Sequence, residues 1–227
     1  MIAKQFFLTL SYIFHPIFMP LLGLFFLFSL ETRPVSMYPF DALFYFPSEA
    51  KNFLYVIIGI LTIVAPLFSL LIMYYNKMIS SLTLEDKEER TYPFVLVSFY
   101  YLLAYIYVRT KIPVDLQHPA LVGFLFGVLL IFVISFVVNF YIKISLHAAA
   151  IFGVAGMLLG YSQTQLSGFV EVDGPTNLYF ILYFLLIAGL VSGARLFLKA
   201  HSLTEILLGS ALGFFVMYVV VKFGLYV

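Results

Sequence analysis

The chain has 227 residues, 63% of them hydrophobic and only 10% charged, with a formal net charge of +1. A soluble domain of this length is not so apolar, and so small a net charge gives no reason to expect nucleic acid as a partner. The absence of cysteine excludes disulfides and thiolate metal sites.

A membrane-spanning helix needs about 20 mostly apolar residues. Seven apolar segments stand out: Phe6–Leu30, Phe53–Tyr75, Phe94–Val108, Ala120–Ile142, Leu146–Tyr161, Leu178–Phe197 and Leu203–Phe223. The expected fold is all-α: a polytopic transmembrane helical bundle of six to seven spans, forming one integral membrane domain over residues 1–227. Membrane lipids are its surroundings. The opening MIAKQ and the run that follows mimic a secretion signal. The run is too long for one and no small-x-small site follows, so it reads as a retained first span.

Polar connections separate the segments. Glu31–Asn52 carries Pro34, Pro39 and Pro47 and reads as a loop; Asn76–Pro93 holds the charge cluster LEDKEER; Arg109–Pro119 is a short turn; Ser162–Asn177 includes the turn signal Asp173-Gly174-Pro175. The third and fifth segments are short enough to be tilted less or partly re-entrant. Gly123/Gly127, Gly156/Gly160, Gly189/Gly193 and Gly209/Gly213 form a small-xxx-small pair in each of the last four spans. Such pairs let helices approach closely. A tight core of spans four to seven is expected, with the first spans packed outside it.

With seven spans, the connections after the second, fourth and sixth share one side of the membrane. They hold Lys87 and Arg90, Ser145 and His147, and Arg195, His201 and Glu205. Ionisable groups so deep in apolar sequence cost roughly 2.5–3.5 kcal/mol each on insertion unless a site uses them. Counting Lys and Arg does not orient the protein, because several on this side are candidate site residues.

His201 and Glu205 are four residues apart, on one face of a helix. A carboxylate there holds an imidazole's tautomer and aids nucleophilic or acid–base work. Arg195 is placed to clamp an anion. The same Ser202-Leu-Thr-Glu205 stretch is also a capping box, so Glu205 has two roles open to it. Ser145 is a helix cap by type, and His147 stands in the first turn, where free N–H groups suit phosphate. Taken alone, Lys87 and Arg90 read rather as a solvated charge run beside Glu85, Asp86, Glu88 and Glu89. His15, beside Pro16 within the first span, reads as a packed, hydrogen-bonded histidine, and His118 as a loop residue on the opposite side.

In its order of motifs the chain resembles the type-2 phosphatidic acid phosphatase superfamily, which also includes glucose-6-phosphatase. The family pattern is Lys-x6-Arg-Pro, then Pro-Ser-Gly-His, then Ser-Arg-x5-His-x3-Asp. Arg195-x5-His201-x3-Glu205 keeps the last spacing, Ser145-x-His147 the second, and Arg90 stands at a suitable place for the first, within a core of about residues 76–223. Lys87 precedes Arg90 by three residues rather than seven; Leu146 stands in place of glycine, Ala194 of serine and Glu205 of aspartate. The resemblance implies a membrane phosphatase acting on a lipid phosphate or polyprenyl diphosphate. His201 would be the phosphohistidine nucleophile oriented by Glu205, and His147 the general acid. Arg90, Arg195, Ser145 and Lys87 would bind phosphoryl oxygens. No metal or other cofactor is implied. The implied location is a bacterial cytoplasmic membrane with the site outward. The competing readings are a non-catalytic membrane subunit or lipid-binding relative with the same bundle, and a transporter. Clustering of the ionisable groups at one face rather than the midplane argues against transport.

Overall fold

The computed structural model describes residues 2–30, 32–34, 43–81, 88–163, 170–172 and 174–225. The first span is bent. Helix α1 (Ile2–Ile13) and helix α2 (Met19–Ser29) meet at a short 3-10 turn, Pro16–Phe18. Pro16 forces His15 out of the helical region, to φ −66° and ψ 138°. The second span contains α3 (Ser48–Gly59) and α4 (Ala65–Tyr75), joined by a wide π turn at Ile60–Val64. Pro66 explains that turn: it offers no N–H to the preceding carbonyls, and the extra residue relieves its ring. The buried Thr62 hydroxyl donates to Ile58 O at 2.7 Å within it.

The remaining spans are α5 (Thr91–Lys111), α6 (Pro119–Asn139), α7 (Leu146–Ser162), α8 (Gly174–Phe197) and α9 (Leu203–Phe223). Each of the seven expected segments is helical, and six helical stretches are long and apolar enough to cross a membrane. The seventh, α7, has 17 residues, about 26 Å at 1.5 Å per residue. The protein is an integral membrane protein whose bundle is all-helical.

Several helices extend beyond the apolar runs. Helix α3 begins at Ser48, α5 at Thr91, and α8 at Gly174, because a helix's hydrogen-bond ladder continues past the last apolar side chain. Pro175 falls in the first turn of α8, where its missing N–H costs nothing. The Glu31–Asn52 loop is also not wholly irregular. Its Thr32–Pro34 segment (β1) pairs antiparallel with Val170–Val172 (β2), Arg33 opposite Glu171. His118 is the cap of α6, its Nδ1 accepting from Ala120 N at 3.1 Å.

Packing centres on α7, most of whose residues are buried. Helices α7 and α9 run parallel, as successive contacts show. Gly209 lies on Ser145 O, Gly213 on Ala149 O, Gly156 on Phe214 O and Gly160 on Tyr218 O. A Cβ at any of these four would overlap a partner carbonyl, so the two backbones touch directly. Gly127 makes room for the Met217 sulfur. The Gly189/Gly193 pair corrects the expectation: nothing lies within 4 Å of a Cβ built at either, because that face of α8 points out of the bundle. The first span is likewise not peripheral. Leu24 and Leu27 of α2 are fully buried, and Gly23 lies under the Phe124 ring.

Gly213→Ala should therefore lower the thermal unfolding temperature in detergent, by strain of about 1–3 kcal/mol. Gly189→Ala should be neutral or stabilising, by at most about 1 kcal/mol. Equal effects of the two changes would contradict the close α7–α9 approach.

Candidate functional site

Four junctions meet at one face of the bundle: the bend between α1 and α2, the turn leading into α5, the start of α7, and the α8–α9 turn. Between them lies a cavity of about 130 Å³, comparable to an engineered protein cavity that holds benzene. Its polar wall is His15, Arg90, His147, Arg195 and His201; its apolar wall includes Leu70, Pro93, Phe94, Val97, Tyr101 and Phe132.

The α8–α9 turn is built by a left-handed residue. Lys199 has φ 54°, and the last turn of α8 closes through Lys199 N donating to Leu196 O and Ala200 N to Arg195 O. This is a Schellman ending with lysine where glycine is usual. The chain then reverses and places His201 beside the end of its own helix. Lys143 Nζ donates to Ala200 O at 3.1 Å, tying the turn to the residues before α7. Ser145 N donates to Glu205 O at 3.2 Å, joining the starts of α7 and α9.

His201 Nδ1 is 2.7 Å from Glu205 Oε2. A carboxylate only accepts, so Nδ1 carries the proton and Nε2 keeps its lone pair when the ring is neutral. The capping box is half formed. Ser202 Oγ accepts from Glu205 N at 3.3 Å, while the carboxylate goes to the histidine. The His201 side chain is 5% exposed. Burial lowers its pKa, the Glu205 hydrogen bond opposes this, and the nearby Lys143 and Arg195 charges lower it further, to about 4. His201 is thus neutral at pH 7, with its lone pair on Nε2.

His147, in the first turn of α7, has Nε2 3.2 Å from Ser11 O of α1. A carbonyl only accepts, so this nitrogen is the donor. Arg195 is within electrostatic reach of His15, His147 and His201. Burial lowers the pKa of Arg90 and the Glu205 carboxylate opposes it. A guanidinium starting from so high a value stays charged. The carboxylate of the neighbouring Glu89 accepts from Ser80 N and Oγ, both at 2.9 Å.

Five of the seven residues singled out by sequence thus meet, or adjoin, in one place: Arg90, His147, Arg195 and His201 line the cavity, and Glu205 is bound to His201. Ser145 is fully buried, its hydroxyl accepting from Ala148 N at 3.5 Å as a helix cap, and it is not on the cavity wall. Lys87 lies outside the described residues. The sequence reading missed His15. It is hydrogen-bonded, as expected, but it also lines the cavity, with its ring 5.2 Å from that of His147. Its signal was the His15-Pro16 pair itself, which breaks an otherwise continuous apolar helix.

Residues 138–227 match the family model of the PAP2 superfamily, a phosphatase-type family, in agreement with the resemblance drawn from the motifs. The match takes in Ser145, His147, Arg195, His201 and Glu205 and leaves Arg90 outside it. No curated protein and no solved structure matches the chain.

The depressed His201 pKa has a definite sign. Between its ordinary value of 6.5 and about 4, the unfolded chain binds the proton and the folded one does not. Stability present above pH 6.5 is therefore lost as pH falls through that window. Imidazole NMR signals of His201 should stay unchanged from about pH 8 to pH 6. A midpoint near the ordinary histidine value would refute the buried, neutral state.

Proposed function

We propose that the protein is a membrane phosphatase that hydrolyses a lipid phosphate or diphosphate through a phosphohistidine. The observation that carries this is His201. Its Nδ1 is held by Glu205, and it shares one small cavity with Arg90, Arg195 and His147. In the scheme, Nε2 of His201 attacks phosphorus and the bond to the lipid oxygen breaks. The departing oxygen takes a proton from Nδ1 of His147, whose Nε2 is held on Ser11 O; the ring takes up that proton with the bound phosphoryl anion, whose charge favours the imidazolium. Water then attacks the phosphohistidine, giving a proton to the now neutral His147; the P–N bond breaks, returning His201 and releasing inorganic phosphate. Arg90 and Arg195 stabilise the charge that spreads over the phosphoryl oxygens. The parallel starts of α7 and α9 add their positive dipole ends. The scheme calls for no metal or cofactor.

The apolar wall supports an amphiphilic substrate. A second cavity of about 30 Å³ shares Pro16, Phe132 and Leu146 with the first and is otherwise lined by apolar residues such as Met19, Val128 and Met217. A headgroup among the cations with its tail along these side chains fits phosphatidate, a polyprenyl diphosphate or a related phospholipid. By the family resemblance, the site faces outward from a bacterial cytoplasmic membrane. One observation favours the non-catalytic alternative: the Ser145 hydroxyl is engaged as a cap, and Leu146 stands where the family has glycine.

Purified protein in detergent should release phosphate from lipid phosphates and be inhibited by vanadate. His201→Ala and His147→Ala should abolish or nearly abolish release. Glu205→Gln should lower it about 10²–10⁴-fold, because an amide can donate to Nδ1 and invert the tautomer. Activity indifferent to both histidine changes would refute the assignment, and no turnover with no vanadate binding would favour the non-catalytic relative.

A further inference from the structure

We infer that His15 is a third imidazole of the phosphate pocket, its Nε2–H donating to a phosphoryl oxygen. The inference rests on the phosphatase reading of the cavity.

It starts from the bend in the first span. Pro16 holds His15 in an extended conformation, which turns its side chain back over the following turn, where Nδ1 accepts from Ile17 N at 3.4 Å. A backbone N–H can only donate, so Nδ1 is unprotonated and the neutral ring carries its hydrogen on Nε2. Among the described residues no hydrogen bond engages that Nε2. The ring lines the cavity, stands edge-on to His147 with centroids 5.2 Å apart, and lies within electrostatic reach of Arg195.

With Nδ1 engaged and the residue half-buried, Nε2–H is left to donate to whatever reaches the ring. The open side of His15 is the cavity, so its acceptor is whatever fills the cavity. Arg90 and Arg195 on the same wall select an anion. His15 thereby supplies a donor from the opposite end of the chain to the matched motifs. It ties recognition of the headgroup to the bend of the first span.

The competing role for His15 is purely structural, as the cap of the turn at Ile17. Two substitutions separate the roles. In His15→Asn the amide oxygen falls near the place of Nδ1 and keeps the cap, and Nε2 is lost. In His15→Gln the amide nitrogen reaches the place of Nε2 and keeps the donor, and the cap is lost. The measurement is orthovanadate affinity of the full-length protein in detergent, read by calorimetry alongside KM and kcat for a lipid phosphate. A charge-assisted contact predicts that His15→Asn weakens vanadate binding about tenfold or more, with a matching rise in KM, while His15→Gln stays within about threefold of the wild type. His15→Asn binding like the wild type, or His15→Gln losing as much as His15→Asn, would overturn the inference and leave His15 a cap.

Wild-type protein that binds no vanadate would instead remove the phosphate reading of the cavity and this inference with it. Should either variant fail to fold, the wild type still decides: vanadate should slow diethylpyrocarbonate modification of His15, followed by peptide mass. Protection of His201 without protection of His15 would count against the contact.

Discussion

The site depends on the direct contact of two helix backbones. Helices α7 and α9 lie parallel with Gly156, Gly160, Gly209 and Gly213 against partner carbonyls. In a bilayer no hydrophobic force draws helices together, so close packing of this kind has to hold them. Parallel orientation follows from the single span, α8, that intervenes. It brings the first turns of both helices to the same face, and with them His147 and the His201–Glu205 pair. Ser145 N on Glu205 O then sets their relative height. Loosening this contact would separate the imidazoles before it disturbed any single side chain.

Electrostatics at that face is a balance among buried groups. His201 is deprived of water and stands near Lys143 and Arg195, all of which favour the neutral ring; Glu205 pulls the other way. The outcome is an imidazole whose proton is on the carboxylate side and whose lone pair is on the other. Glu205 could have closed a capping box, yet its carboxylate is on His201 and Ser202 alone caps α9. A helix start tolerates the loss of one reciprocal hydrogen bond, whereas an unpaired buried imidazole N–H would be costly.

The cavity divides along the expected polarity of the membrane. Its cations come from chain reversals at one face, and its apolar wall comes from α4, α5 and α6 within the bundle. Proline shapes both halves. Pro16 opens the first span so that His15 and Ser11 face α7, and Pro66 widens the second span one turn before Leu70 reaches the cavity. Lys199, in a left-handed conformation, does the same for the α8–α9 turn.

The sequence alone determined what depends on local spacing and on hydropathy. Seven apolar runs specified seven helical segments, and a histidine and a glutamate four apart specified a pair on one helical face. Arg195-x5-His201-x3-Glu205 was therefore legible, and so was the family to which residues 138–227 match. Tertiary structure decided what depends on which faces meet. Gly189 and Gly193 have the same spacing as Gly209 and Gly213, yet only the latter touch a neighbour, because spacing does not say which way a helix is turned. Ser145 faces its own helix and not the cavity for the same reason, and His15 enters the site only because the bent first span lies against α7. Periodicity is a property of one segment; a cavity is a property of several, and its contents are set by packing that no single segment encodes.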